Sequence, residues 1–274
     1  MLPPDTIHRK EAFVNLSRAA LASVLLFPAL SASAFADGDT FLLVATNGHT
    51  LGKASYSIRE AKIGYEVKSY YTYKAMRSDL PSTRTVGPPT DARSPASTEA
   101  QMYLTYKVAA NGDLIEGYMQ NQANGLMTSF NADRQGALQV SSVQDGHHGL
   151  VNTVPMPHPD FMLLPVYDPA AVQVLLTAAS AHPSPESTYL LAVPNRDGAY
   201  PVQVHLQSAP PAAGVFHQTP CALKVYDLQF GTGRLGEPVP TARVYTDGAG
   251  HLMEADLSFF GVRYVRVDFA LDQK

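Results

Sequence analysis

Strict alternation of apolar and polar residues is the feature that most constrains how this chain folds. Along residues 65–75 one side of the alternation is apolar and the other polar, with Tyr65, Val67, Tyr71, Tyr73 and Ala75 opposite Glu66, Lys68, Thr72 and Lys74. Successive side chains of a β-strand point to opposite faces, so this pattern predicts a long, half-buried strand. The same alternation recurs over 101–108, 200–207 and 265–269. One apolar and one polar face are typical of an antiparallel sheet that is wet on one side.

Short turns rich in Asn, Asp and Gly separate the alternating runs. They are Asn47-Gly48, Asn111-Gly112-Asp113, Asn195-Arg196-Asp197-Gly198 and Asp247-Gly248-Ala249-Gly250. These residue types tolerate the positive φ of tight hairpins, so each turn predicts a hairpin. The sequence therefore predicts a mainly β fold. We expect an antiparallel meander of about ten to twelve strands, forming a curved sheet or half-barrel with one packed α-helix.

The single helix is predicted to start after Asp168. Asp168 is a good N-cap and Pro169 suits the first helical position, and an apolar stripe follows at Val172, Leu175, Leu176 and Ala179. We expect this stripe to pack on the concave face of the sheet. Two Pro-rich stretches lack periodicity: residues 81–98 predict a mobile loop or a rim over a pocket, and residues 208–220 predict a second loop.

The first 36 residues have the pattern of a secretory signal peptide. Arg9, Lys10 and Arg18 precede an apolar run of about 12 residues, and Ala34 and Ala36 supply the small residues of a cleavage site after Ala36. A membrane span needs about 20 apolar residues, so an uncleaved anchor is the weaker alternative. We expect a periplasmic or secreted protein made of one β-rich domain, residues 37–274, with no membrane span after cleavage.

Composition excludes several classes of protein. The chain of 274 residues has 20 Lys and Arg against 24 Asp and Glu, so no basic excess is present to bind a nucleic acid. Its single cysteine, Cys221, rules out a disulfide framework and a cysteine zinc site. Cys221 lies in an apolar strand pattern and is interpreted as a structural thiol. We expect no metal and no cofactor.

Candidate catalytic residues are few. His147, His148, His158 and Asp160 lie in loop-like sequence. They could bind zinc or act as a base and its orienting group. Their spacing matches no known motif, so exposed loop residues are the simpler interpretation.

Other catalytic and nucleotide-binding motifs are not supported. No G-x-S-x-G elbow is present. Residues 231–236 match G-x-G-x-x-G, but Pro238 and Pro240 prevent the helix that a nucleotide site needs. Asp227, Glu254 and Asp256 are expected on the solvent face.

Tyrosine is the most informative residue type. The chain has 14 Tyr and no Trp, and several tyrosines cluster in two predicted strands. An amphipathic lining of tyrosines suits a lipid-like or sugar ligand, whereas sheet propensity and core packing are the alternative explanation. The sequence names Tyr65, Tyr71, Tyr73 and Tyr106 as candidate ligand-binding residues.

Parts of the sequence resemble known bacterial families. Residues 41–44, 48–58 and 64–69 are similar to the opening hairpins of envelope half-barrels, namely DUF3108-type proteins and lipoprotein carriers. Residues 160–164, the predicted helix, and residues 189–194, 242–252 and 261–269 resemble a β-rich domain N-terminal to some secreted α/β-hydrolases. The resemblance implies an envelope module with no catalytic residues to transfer, standing alone because the chain ends at Lys274.

Three functions follow as expectations. The first is an exported, non-catalytic β module whose groove binds a hydrophobic or amphiphilic small molecule. The second is an envelope hydrolase of glycan or ester, which requires at least two of His147, His148, His158 and Asp160 to converge in one pocket with a carboxylate or a metal. The third is a scaffold that contacts an envelope protein through its sheet edges or Pro-rich loops.

Overall fold

In the residues that the computed structural model describes, one long, curved β-sheet surrounds a single α-helix. The described residues are 39–74, 99–121, 126–133, 136–144, 147–165, 167–181, 186–195, 198–231 and 240–272. The helix, α1, spans Pro169–Ala181, and a short 3-10 turn spans Ser258–Phe260. The strands are β1 (Asp39–Ala45), β2 (Thr50–Glu60), β3 (Tyr65–Lys74), β4 (Glu99–Val108), β5 (Leu114–Asn121), β6 (Leu126–Ala132), β7 (Ala137–Gln144), β8 (His147–Pro155), β9 (Met162–Leu163), β10 (Glu186–Asn195), β11 (Gly198–Phe216), β12 (Thr219–Phe230), β13 (Thr241–Thr246), β14 (Leu252–Leu257), β15 (Val262–Arg266) and β16 (Phe269–Leu271).

The strands pair in the order β8-β7-β6-β5-β4-β3-β2-β1-β15-β14-β13-β12-β11-β10-β9, and β16 pairs separately with β11. Every pairing is antiparallel except that of β9 with β10. Among the described residues the sheet does not close: β8 and β9 are its two ends, and β11 passes near β7 and β8 without pairing with them. The predicted mainly β, antiparallel fold with a packed helix is confirmed, and the described part of the chain has sixteen strands in place of ten to twelve because several are short.

The alternation in the sequence determines which face of the sheet is buried. In β3 the side chains of Val67, Ser69 and Tyr71 are buried, and in β4 those of Leu104 and Tyr106 are buried. Their neighbours along each strand point outward, as the period of two requires. The inward residues of nearly all the strands form one hydrophobic core with α1.

Helix α1 fills the concave side of the sheet. Its predicted stripe is confirmed, since Val172, Leu175 and Leu176 are all at least 97% buried. The backbone N–H of Ala170 donates to Oδ1 of Asp168 at 3.2 Å, which makes Asp168 the predicted N-cap. The helix lies against β2, β3, β9 and β14. The half-barrel therefore encloses its own helix.

The second Pro-rich stretch, expected to be a loop over 208–220, forms part of a long hairpin instead. β11 continues to Phe216, and β12 starts at Thr219 after a two-residue turn of His217 and Gln218, both with positive φ. The pairing of β11 with β12 shifts between Ala209 and Ala212, so Pro210 and Pro211 lie in a bulge. A bulge tolerates prolines because its residues are not needed as ladder donors, which the loop prediction overlooked.

Two predictions concern residues outside the described part of the chain. They are the signal peptide over 1–36, with its cleavage site, and the mobile loop over 81–98. Within the described residues, no helix is both long enough and apolar enough to cross a membrane.

Candidate functional site

A buried carboxylate lies where α1 meets the sheet. Asp168 is fully buried, and it accepts hydrogen bonds from the Ser69 hydroxyl at 2.7 Å and from the Tyr106 hydroxyl at 3.0 Å. Burial raises the pKa of Asp168, although the hydrogen bonds from its neighbours act in the opposite direction. The three donors, counting the Ala170 N–H, satisfy a group that would otherwise be costly to bury.

Tyr71 and Tyr264 complete this buried polar cluster. Both rings are fully buried, and burial followed by the nearby Asp168 charge raises the pKa of each phenol well above its ordinary value. The Tyr71 hydroxyl makes no hydrogen bond of regular geometry with the described residues. It nevertheless lies close enough to the Asp168 carboxylate for that charge to raise the pKa of Tyr71. The phenols therefore stay neutral at neutral pH.

A second polar contact fixes the middle of α1. The Gln173 side-chain oxygen accepts from the backbone N–H of Leu252 at 2.7 Å, and its amide nitrogen donates to the Gly250 carbonyl at 3.1 Å. The Tyr56 hydroxyl approaches the same oxygen at 3.4 Å. Gln173 thus ties the helix to the turn between β13 and β14.

The four tyrosines predicted to bind a ligand do not line one pocket. Tyr71 and Tyr106 are enclosed under α1, next to Asp168. Tyr65 is partly buried beside a shallow apolar depression, and Tyr73 is partly buried with its hydroxyl accepting from the Asn121 amide at 3.1 Å. The depression, between α1 and the ends of β2 and β3, has a volume of about 30 Å³. Pockets for drug-sized ligands usually occupy about 300–1,000 Å³, so this depression is much smaller than such a pocket.

The residues named for a hydrolase lie in two separate places. His158 and Asp160 are both exposed, with Nδ1 and Oδ2 3.4 Å apart. His147 and His148 start β8, whereas His158 follows the end of that nine-residue strand. The backbone of His147 pairs with Gln144 at one end of β7, and the backbone of His158 lies beside Gly136 at the other end, so the two are roughly 25 Å apart at about 3.3 Å per residue. Among the described residues no three His, Cys, Asp or Glu side chains are placed to hold a metal ion.

The outer surface of β3–β8 carries a broad area without formal charge. Two cross-strand rows run over it, Tyr70–Tyr103–Gln120–Met127–Val143 and Thr105–Tyr118–Ser129–Ser141–Val151. We call these ten residues the tyrosine face. The Tyr70 and Tyr103 rings pack at a centroid distance of 4.8 Å, and the strands β6, β7 and β8 contain no Asp, Glu, Lys or Arg at all.

Charged residues border the tyrosine face on one side. The next row contains Glu66, Lys107 and Glu116, and Lys107 pairs with Glu116 at 2.6 Å. Lys68 lies at the end of the second row and contacts Glu66 at 3.1 Å. An uncharged centre with Tyr and Met, bordered by charges, is the composition typical of a protein-interface core and its rim.

The opposite part of the outer surface is different. A row across β12–β15 alternates in sign through Asp227, Arg243, Asp256 and Arg263. Arg243 donates two hydrogen bonds to Asp227, at 2.7 and 3.0 Å. We call these four residues the charge ladder. Such exposed pairs suit contact with water and contribute little to stability.

Glu254 corrects one expectation, because it is not on the solvent side. Its side chain is only 6% exposed and lies 3.7 Å from Arg263. Burial raises the pKa of Glu254 to about 7, more than the Arg263 charge lowers it. The bulge in β14 that separates Leu252 from Glu254 is not visible in the alternation of the sequence.

The sequence missed several residues of the interior cluster. Asp168 was interpreted only as a helix cap, and Ser69, Tyr56, Gln173 and Tyr264 were not singled out. Asp168 contacts residues 62 and 99 positions away in the chain, so only the folded sheet brings them together. A polar Ser69 on the apolar side of the alternation in β3 was the one available signal.

Comparisons with known proteins support the fold. The chain is similar to the crystal structure of a β-barrel-like protein of a domain of unknown function, DUF1849, from Brucella abortus, with a TM-score of 0.52 and 11% identity over 86% of this chain and 98% of that one. A DUF1089 family protein from Pseudomonas aeruginosa is more distant, with a TM-score of 0.41 and 11% identity over 73% of this chain and 87% of that one. No family model and no curated protein matches the chain. The chain therefore has a β-barrel-like fold, and the expected DUF3108 membership is not shown.

Proposed function

We propose that this chain is an exported, non-catalytic module that binds another protein through the tyrosine face. The observation that carries the proposal is the contrast between the two sides of the sheet. The concave side is occupied by α1, whereas the convex side of β3–β8 presents an area free of charge. Export follows from the predicted signal peptide and is part of the proposal.

The composition of the tyrosine face supports a protein as the partner. Tyrosines offer large, rigid contact area at low entropic cost, and serine hydroxyls adapt their hydrogen bonds to a partner. Ser129 and Ser141 already bond to each other at 2.6 Å and are open on the outer surface. The face has no Lys or Arg to attract nucleic acid or anionic lipid.

Binding of an amphiphile, the first expectation from the sequence, requires more than the described structure contains. The ligand would have to displace α1 and the eight residues that the helix buries. Each fully buried aliphatic side chain contributes roughly 1.5–3 kcal/mol, so this displacement is costly. Protein binding on the outer face requires no such rearrangement.

Site-specific photo-crosslinking in the cells that produce the protein tests this proposal. A benzoylphenylalanine is placed at Tyr103 on the tyrosine face or, as the matched control, at Arg243 on the charge ladder. We expect one discrete protein adduct from position 103 that is absent from position 243 and is lost when Tyr70→Glu is added. Equal adducts at both positions, no adduct at 103, or crosslinking of 103 to lipid alone would overturn the proposal.

A further inference from the structure

Two Asn-Gly turns of the sheet, Asn47-Gly48 and Asn111-Gly112, have the same backbone hydrogen bonds. Between β1 and β2, the Gly48 N–H donates to the Ala45 carbonyl at 2.9 Å, and the Ala45 N–H donates to the His49 carbonyl at 2.8 Å. Between β4 and β5, the two equivalent bonds within residues 109–113 measure 2.9 and 2.8 Å. Both glycines have a positive φ, +84° and +91°. A difference in reactivity between the two asparagines must therefore come from their surroundings.

Asparagine followed by glycine is prone to deamidation, because glycine has no Cβ to shield the attacking backbone nitrogen. The glycine nitrogen attacks Cγ of the asparagine and loses its proton, the side-chain amide leaves as ammonia, and a succinimide ring is formed. Water then opens the ring at either of its two carbonyls, which gives aspartate or isoaspartate. The reaction needs water and no other reactant, so the local structure decides its rate.

The turn at Asn47 stabilises the charge that this attack creates. The backbone N–H of His49 donates to Oδ1 of Asn47 at 3.1 Å. Negative charge develops on this oxygen as Cγ becomes tetrahedral, and a donor that already points at the oxygen lowers the barrier. The turn between β1 and β2 therefore favours attack at Asn47.

The side chain of Asn111 is held in a way that opposes the same attack. Its amide nitrogen donates to Oδ2 of Asp113, and the Asp113 N–H donates to its Oδ1 at the longer distance of 3.3 Å. The Asp113 carboxylate repels the negative charge that would develop on the Asn111 side chain. The hydrogen bond to Asp113 also keeps the amide from turning toward the backbone nitrogen of Gly112.

The two turns also differ in how easily they open. For the attack, the glycine N–H must leave its carbonyl partner, which is a local opening of the turn. Gly48 is exposed, and no atom lies within 4 Å of a Cβ built on it. Gly112 is buried, and a Cβ there would lie 2.8 Å from the Met162 side chain and 3.3 Å from that of Val174 in α1. Opening at Gly112 therefore disturbs the core, whereas opening at Gly48 does not.

We propose that Asn47 is a site of spontaneous deamidation and that the fold protects Asn111 from the same reaction. The product has a new carboxylate in an exposed turn. In its isoaspartyl form it also has one more backbone carbon between Ala45 and His49, where the hairpin closes. The proposal does not rest on protein binding by the tyrosine face, because none of the ten residues of that face takes part.

Peptide mapping by mass spectrometry tests the proposal on the full chain, incubated at slightly alkaline pH in the folded state and, as the matched control, in guanidinium chloride. In the folded chain we expect the amide-to-acid mass change roughly tenfold faster, or more, at Asn47 than at Asn111, because only the first turn opens at low cost. In the denaturant both sites should convert at similar rates, since glycine follows each. Fragment-ion spectra separate them from Asn124-Gly125, which lies outside the described residues.

Two variants give a second readout by isoelectric focusing of the incubated, folded chain. Asn47→Gln should slow the appearance of acidic species, because glutamine has to close a larger ring, whereas Asn111→Gln should leave the rate unchanged. Equal conversion of Asn47 and Asn111 in the folded chain would overturn the proposal. So would an Asn47 that stays intact in the folded chain while it converts in the denaturant.

Discussion

The hydroxyl of Tyr106 donates a 3.0 Å hydrogen bond to Oδ2 of Asp168, joining the fourth strand to the start of α1. Asp168 also holds Ser69 of the third strand and caps the helix through Ala170. One buried carboxylate therefore fixes the helix to two neighbouring strands. This contact turns an open curved sheet into a half-barrel whose interior is occupied.

Removal of the Asp168 carboxylate should destabilise the fold strongly. Asp168→Ala leaves the Ser69 and Tyr106 hydroxyls buried without an acceptor and removes the helix cap. We expect the free energy of unfolding in urea to fall by about 3–5 kcal/mol. Asp168→Asn keeps one carbonyl oxygen for Ser69 and the cap, and it should lose about half as much. Equal losses in the two variants would mean that the hydrogen bonds contribute little.

Stability should decrease as pH rises, because of Glu254. Burial raises the pKa of its carboxyl from 4.5 to about 7, so the folded state holds its proton more tightly than the unfolded state. The resulting stability is fully present below pH 4.5 and is lost as pH rises toward 7, which amounts to about 3 kcal/mol. Glu254→Gln should match the wild type near pH 4.5 and exceed it at pH 8 in urea titrations.

The direction of this pH effect distinguishes Glu254 from ordinary surface acids. A carboxyl such as that of Asp247, whose pKa is lowered because hydrogen bonds from His251 and Ala249 outweigh burial, would contribute less stability on acidification instead. The raised pKa of Asp168 acts in the same direction as that of Glu254, so a smaller decline should persist in Glu254→Gln. An unchanged pH profile in this variant would show that Glu254 is ionised at little cost in the fold.

Two turn glycines provide a test of the sheet register. Gly64 has a φ of +71°, and a Cβ there would lie 1.9 Å from the Val108 carbonyl oxygen of the neighbouring strand. Gly48 has a φ of +84° with no atom within 4 Å of such a Cβ. Gly48→Ala should cost about 1 kcal/mol, from the backbone conformation alone. Gly64→Ala should cost about 3 kcal/mol or more, because a backbone must also move.

Thermal unfolding of both glycine variants measures this difference. Gly64→Ala should lower Tm clearly more than Gly48→Ala. Similar shifts would indicate that the third and fourth strands do not approach each other as closely at this turn as the register requires.

Local sequence patterns predict most of the strands and the helix, whereas the interior cluster depends on contacts between residues that are far apart in the chain. The alternation along residues 65–73 and the caps at Asp168 and Pro169 were sufficient to place the strands and the helix. The bulges at Pro210 and near Glu254 were not predicted, because a bulge shifts the alternation without a residue type of its own. The order in which the strands pair brings Tyr106 next to Asp168, and no local sequence pattern predicts that order.

For the tyrosine-rich strands too, the sequence does not predict which tyrosines are buried and which lie on the outer surface. Tyr70 and Tyr71 are adjacent in sequence, yet Tyr71 is enclosed beside Asp168 and Tyr70 lies on the outer surface against Tyr103. The sequence indicated an amphipathic tyrosine lining without indicating which face would be occupied by the helix. The outward tyrosines, which the structure places in uncharged surroundings, received no separate prediction.

Helix α1 occupies the interior of the sheet, and we propose that binding takes place on the outer face. Native mass spectrometry of the protein, purified from its own cells without detergent, tests this most directly. We expect the mass of the polypeptide alone, with no bound lipid after incubation with lipid extract. A stoichiometric amphiphile that stays bound and is displaced by no competing protein would contradict the claim.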